Sequence, residues 1–188
     1  MQRYFGALTI LLFLGLILVR VTMLRKRGIK AMHFGRTDHS DFLIVPFAFS
    51  YFYMVFGHAF GLPVPGGAEL FPTSIIGWIG VLACGSGLIL LYWSLVSFGN
   101  AFRVGIDQEL PDKLVTTGVF EVTRNPVYLA FSLVVLGEFL IFPNWVMLAA
   151  LIAGVALFHR QVIREEKFLR GHYGQFYEDY CGRVRRYL

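Results

Sequence analysis

Apolar positions fall in long blocks along this chain. The first, over about 4–24, contains YFGALTILLFLGLILV and holds no charge between Arg3 and Arg20. A second at 42–62 (FLIVPFAFSYFYMVFGHAFGL) and a third at 73–98 (TSIIGWIGVLACGSGLILLYWSLVSF) carry no formal charge. About 20 consecutive apolar residues match a hydrocarbon core of roughly 30 Å, so each block predicts a transmembrane helix. Two further apolar segments, 127–142 and 145–158, are divided by Pro143 and Asn144. Each is short for a crossing, and residues 127–158 are together too long for one bent span. The pattern therefore predicts a helical hairpin over 126–159 and five spans in all.

The fold class expected is thus an all-α integral membrane protein, its last two spans a short hairpin. Two regions follow from it. Residues 1–98 form three transmembrane helices, and 99–188 a catalytic region. The latter comprises a cytoplasmic loop at 99–125, the hairpin at 126–159 and a C-terminal helix and tail at 160–188. The tail begins with an amphipathic pattern. Ile163, Glu166, Leu169 and Tyr173 share one line, and Val162, Phe176, Tyr177 and Tyr180 continue an apolar-aromatic face. Gly171 and Gly174 are expected to interrupt this helix.

Charge sets the orientation. Fifteen of the 17 Lys and Arg residues fall after span one, between spans three and four, or after span five. Those segments share a face only if there are five spans, so the positive-inside rule places the N-terminus outside and the C-terminus in the cytoplasm. The first block reads as a retained helix, since a basic cluster follows it where a cleaved leader has small residues. The net charge of +5 is explained by a basic face meeting anionic headgroups, and calls for no nucleic acid. Cys84 falls mid-membrane and Cys181 on the tail, with no metal-ligand spacing, so no metal is expected. Gly80, Ala83, Cys84 and Gly87 form a small-residue stripe for close helix packing. His58 is expected to be packed and hydrogen-bonded, and Glu138 protonated or paired inside the bundle.

Two polar clusters carry the candidate chemistry. TRNPVY, residues 123–128, places Pro126 in a first helical turn with Asn125 as its N-cap. A helix N-terminus beside Arg124 is either a plain cap or an anion site. The second cluster, RQVIREEKFL at 160–169, holds Glu165 and Glu166 just past span five. A hairpin brings both clusters to one patch. S-Adenosylmethionine suits such a patch: its carboxylate would meet the span-four N-terminus and Arg124, and its ammonium Glu165 or Glu166. Tyr128 or Phe120 would face the sulfonium.

LVTTGVFEVTRNPVYLA at 114–130, with REEKFLRGHYGQFYEDYCGRVRR at 164–186, resembles the isoprenylcysteine carboxyl methyltransferase family, kin to phospholipid methyltransferases. The likeness covers 99–186. It implies S-adenosylmethionine bound at the cytoplasmic end without a Rossmann domain, by Lys113, Leu114, Val115, Phe120, Asn125, Pro126, Val127, Tyr128 and Glu165. Arg164 and Arg160 would hold the acceptor's carboxylate. Asn125 stands where the family usually has His, Phe120 where Tyr is common, and Arg185 where Pro is expected. Asn can cap and donate but cannot act as a base, which favours a carboxylate acceptor over an amine. The function expected is methyl transfer to a lipid-embedded acceptor, foremost a prenylcysteine carboxylate. The alternatives are a phospholipid amine methyltransferase, a membrane sterol reductase using a nicotinamide cofactor, and a non-enzymatic scaffold.

Overall fold

A computed structural model describes residues 1–28, 44–65, 68–99 and 114–188. Lys113, Lys30, Arg36, Arg103 and most of the expected loop 99–125 lie outside the described residues. Among these residues there are six α-helices, one 3-10 turn and no strand. The helices are α1 (Gln2–Lys26), α2 (Ile44–Phe60), α3 (Thr73–Phe98), α4 (Pro126–Ile141), α5 (Trp145–Tyr173) and α6 (Gln175–Arg183), and the 3-10 turn covers Gly118–Glu121. Three of them, α1, α3 and α5, are long and apolar enough to cross a membrane, whereas α2 and α4 are shorter.

The outward faces of these helices are apolar. On α3, Ile75, Leu82 and Ile89 recur every seven residues, and all are more than two-thirds exposed. A helix apolar all round belongs in a lipid environment or a large core. The opposite face of α3 is the small-residue stripe, and its neighbour is α4. A Cβ added at Gly80 would lie 2.6 Å from the Gly137 carbonyl oxygen, and one at Gly137 would lie 2.6 Å from the Gly80 carbonyl oxygen. Gly87 meets Val134 and the Ala130 backbone in the same manner. Lipid offers no hydrophobic drive between helices, so this close backbone approach is what holds α3 to α4.

Around that pair, α1 packs against α2, α3 and α4. Its Ala7, Ile10 and Phe13 enter a core shared with Val55, Leu91, Ala130 and Met147. At the other end of α1, the Arg20 guanidinium donates to the carbonyl of Gly99, the residue that ends α3.

Three residues join α4 to α5. Asn144 starts α5 by accepting from the N–H groups of Val146 (3.1 Å) and Met147 (3.0 Å). Its amide also donates to His58 Nε2 at 3.0 Å, while His58 Nδ1 faces the Met54 carbonyl at 2.8 Å. His58 is thus packed and hydrogen-bonded, as its place in an apolar block requires. The Pro143 carbonyl accepts from Leu70 N–H (2.7 Å), tying the segment before α3 to the same turn.

One expectation needs correction here. The charged segment after 159 is no separate helix, because α5 runs unbroken from Trp145 to Tyr173, and Gly171 stays inside it. Only Gly174 stops the helix, at φ +53°, a conformation that suits a residue without Cβ. The polar half of α5 is therefore a rigid extension of its apolar half. Beyond Gly174, α6 folds back so that Tyr177, Tyr180 and Val184 bury against Leu114, Leu169 and Tyr173. Phe176, read as part of that face, is 55% exposed instead.

Candidate active site

The TRNP turn is built from both sides. Upstream, the 3-10 turn docks on α3: Val119 N–H donates to Ser97 Oγ at 3.2 Å, and the rings of Phe120 and Phe98 meet edge-on at 4.6 Å. Gly118 sits at φ +67°, with Ser97 Oγ where a Cβ would go, so only glycine fits. Downstream, Pro126 occupies the first position of α4.

Asn125 stands at the N-cap position, but its side chain does not cap the helix. This corrects the expectation from sequence. Its amide instead donates to Glu166 Oε1 (3.1 Å) and to the Arg186 carbonyl (3.2 Å). A stronger acceptor across the turn has drawn the side chain away from the N–H groups of α4.

Glu166 is the centre of this network. Its Oε1 accepts from Arg124 Nε (3.3 Å) and Nη2 (3.1 Å), and its Oε2 from Arg186 Nε (3.1 Å) and Nη2 (2.9 Å). Burial alone would raise its carboxyl. The hydrogen bond from Arg186, the charge and hydrogen bonds of Arg124 and the bond from Asn125 outweigh that effect, holding it below the usual carboxylate range.

Arg124 continues from Glu166 to the tail, donating through Nη1 to the carbonyls of Cys181 (3.2 Å) and Val184 (2.6 Å). The chain beyond α6 is thereby strapped over the turn. Arg124 N–H donates to the Arg185 carbonyl (3.0 Å), Thr123 Oγ1 to the Arg186 carbonyl (3.2 Å), and Tyr180 Oη to the Phe120 carbonyl (2.6 Å). At the strap's end, Tyr187 Oη meets His159 Nδ1 at 2.8 Å.

The other carboxylate has a different partner. Tyr128, in the first turn of α4, donates its hydroxyl to Glu165 Oε1 at 2.5 Å, and both residues are half-buried. From Tyr128 an aromatic row leads into the bundle: Phe158 at 6.5 Å, Phe131 at 5.1 Å from Phe158, and Phe13 at 4.6 Å from Phe131.

The residues singled out from sequence are therefore placed unevenly. Arg124, Asn125, Pro126, Val127, Tyr128, Glu165 and Glu166 come together where α4 meets α5. Leu114 joins the cluster around Tyr177 and Tyr180, with Val115 half-buried beside it in sequence. Phe120 is buried against Phe98. Arg160 and Arg164 lie one turn apart on α5, the first exposed and the second half-buried. Lys113 lies outside the described residues. Sequence reading did not single out Arg186, Thr123 or the carbonyls of the tail. Only the arginine run at 183–186 hinted at them, and basic tails are common at a membrane surface.

Among the described residues, no group of three or more His, Cys, Asp or Glu side chains is placed to hold a metal.

A family model described as phospholipid methyltransferase matches residues 75–176. The relatives found include two proteins named probable protein-S-isoprenylcysteine O-methyltransferase, from Oryza sativa subsp. indica and Oryza sativa subsp. japonica. Each is 28% identical over 130 residues, covering 62% of this chain and 65% of the relative. The match thus spans slightly less than two thirds of those relatives' length. The matched region takes in α3 from Ile75 onward, α4, α5 and the carboxylate pair, more than half of the sequence, and on that basis the chain belongs to the phospholipid methyltransferase family.

Proposed function

We propose that this protein is an S-adenosylmethionine-dependent carboxyl O-methyltransferase of the membrane. Its acceptor would be a lipid-embedded carboxylate at the cytoplasmic face, foremost that of a prenylcysteine. The observation that carries this reading is the meeting of the α4 N-terminus with Glu165, Tyr128 and an aromatic row leading into an apolar bundle. A water-soluble donor would enter from the polar side and a lipid chain from the other. The names of the two rice relatives support it. In this reading all five apolar helices cross the membrane, α4 and the apolar part of α5 form the hairpin, and the N-terminus lies outside.

The residues present fit the cofactor. With the Asn125 side chain turned to Glu166, the first turn of α4 offers its N–H groups and its positive dipole end to a carboxylate. Glu165, oriented by Tyr128, faces an ammonium, and the Tyr128 ring a sulfonium. Leu114, Val115, Val127 and Phe120, with Lys113, complete the apolar and backbone contacts that the resemblance implies. Arg124 and Glu166 act one step back, because their polar atoms are engaged by the strap and by each other.

When bound, S-adenosylmethionine would supply the methyl group carried on its sulfonium sulfur, which leaves as a neutral thioether. The chain's residues then have to position and desolvate. Arg160 and Arg164 hold the acceptor carboxylate in line, and Phe158 and Phe131 exclude water along the lipid chain. A carboxylate needs no general base, and Asn125 offers none.

The family's description carries a second reading, a phospholipid amine as acceptor. An amine must lose a proton, so that reading needs a base that the TRNP turn lacks.

The test is calorimetric titration of detergent-purified protein with S-adenosylhomocysteine and, separately, a reduced nicotinamide dinucleotide. We expect the first to bind and the second not to. Labelled methyl transfer to a prenylcysteine analogue and to phosphatidylethanolamine then separates the two acceptors. Folded protein that binds no S-adenosylhomocysteine would sink the proposal.

A further inference from the structure

Asn125 and Asn144 each stand immediately before a helix, in opposite states. Asn144 has the extended backbone of a capping residue, φ −135° and ψ 167°, and its side chain accepts from the N–H groups of Val146 and Met147. Asn125 has a similar φ of −128°, but its ψ is 53° and its side chain leaves α4 uncapped. The tail holds it there. Asn125 N–H donates to Thr123 Oγ1 at 3.3 Å, and that hydroxyl donates to the Arg186 carbonyl at 3.2 Å. The Asn125 amide donates to the same carbonyl and to Glu166 Oε1, at 3.2 and 3.1 Å.

Arg186 also fixes Glu166. Its guanidinium occupies Oε2, at 3.1 and 2.9 Å, so Oε1 is turned to Arg124 and Asn125. A hydrogen bond to a carboxylate is roughly twice as strong as one between neutral groups. With the tail docked, Glu166 therefore outcompetes the neutral cap for the Asn125 side chain. With the tail released the balance reverses. Asparagine is among the best N-cap residues, and a turn about ψ alone would give Asn125 the geometry of Asn144.

We propose that Arg186 and Glu166 are positioning residues for the donor's carboxylate: they hold Asn125 off the N-terminus of α4. Without them Asn125 would take the N–H groups of Val127 and Tyr128, the second and third residues of α4, which are those an N-cap side chain accepts from. Cap and ligand would then compete for the same donors, and only the uncapped fraction would bind. This inference rests on the reading of that helix end as the donor's carboxylate site. It makes docking of the tail a condition for tight donor binding.

The test places Arg186→Ala in two backgrounds, the otherwise unaltered full chain and Asn125→Ala, both in lipid nanodiscs. Without ligand, amide hydrogen exchange at Val127 and Tyr128 should be slower in Arg186→Ala than in the unaltered protein. The slowing should vanish in the Asn125→Ala background. Mere loosening by a lost ion pair gives faster exchange instead. In calorimetric titration, Arg186→Ala should weaken S-adenosylhomocysteine binding about fivefold, the worth of one N-cap, with little further effect once Asn125→Ala is present. Unchanged or faster exchange in Arg186→Ala would overturn the proposal, and so would an equal loss of affinity in both backgrounds. Should Arg186→Ala not fold, Thr123→Val, which removes the hydroxyl between Asn125 and the tail, must show the same slowing. Unaltered protein that binds no S-adenosylhomocysteine would refute the donor site itself, while the exchange rates separately decide whether Arg186 governs the cap.

Discussion

Glu165 and Glu166 are neighbours in sequence with unlike tasks. Successive residues on a helix point about 100° apart, so one faces the strap and the other the first turn of α4. Glu166→Ala would leave Arg124, whose side chain is only 9% exposed, without its carboxylate. Removing one partner of a buried pair costs about 3 kcal/mol, so we expect a lower melting temperature and early proteolysis near Arg183. The same bond sets a pH limit. The Glu166 carboxyl is lowered on folding, so its contribution is fully present above the unfolded value of about 4.3. That contribution is lost as pH falls through the folded value. Proteolysis of the tail should therefore rise on acidification below pH of about 4 in the unaltered protein, with a shallower dependence in Glu166→Gln. Tyr128→Phe tests the other carboxylate. It removes one hydrogen bond, about 1 kcal/mol of stability, while titration should show S-adenosylhomocysteine affinity falling about tenfold, equivalent to 1.4 kcal/mol. A loss of stability with no change in affinity would leave Tyr128 and Glu165 as packing residues. That both clusters matter was legible in TRNP and REE. Which glutamate holds the strap was not, since only the contact partners distinguish two adjacent carboxylates.

At the scale of elements, the α3–α4 contact depends on absent side chains. Gly80→Ala and Gly137→Ala each place a methyl 2.6 Å from a backbone oxygen that has no room to yield. Overpacking of this kind costs about 1–3 kcal/mol, and thermal unfolding in detergent should show it, whereas Gly85→Ala, with open space around it, should be close to neutral. Asn144→Ala removes the cap of α5 and the bond to His58 together. We expect a loss of about 1–2 kcal/mol by the same measurement. The glycine stripe was visible in sequence because its spacing is the helix's own. The behaviour of Asn125 was not. It has every property of a cap, yet Asn144, in an equivalent context before α5, is the one whose side chain caps. The competing acceptor, Glu166, is 41 residues away and enters only once α5 has folded back.

For the whole molecule, the five-span reading makes a prediction about sidedness. In a chain lacking its native cysteines, Ala68→Cys should react with an impermeant maleimide from outside intact cells. Lys167→Cys should react only after permeabilisation. Both positions are exposed, so an opposite or equal pattern would refute that topology rather than reflect burial. The sequence by itself determined the helices, since 20-residue apolar blocks have few options in a bilayer, where every backbone polar group must be bonded internally. It also determined the family, through polar motifs whose spacing survives outside any particular packing. Only the tertiary structure decided that α5 is one continuous rod, that the tail is strapped to the TRNP turn through Glu166, and that the Glu138 carboxyl is fully buried against Gly6 of α1. Those facts depend on contacts between residues far apart in the chain, and local pattern carries no record of which distant partner wins.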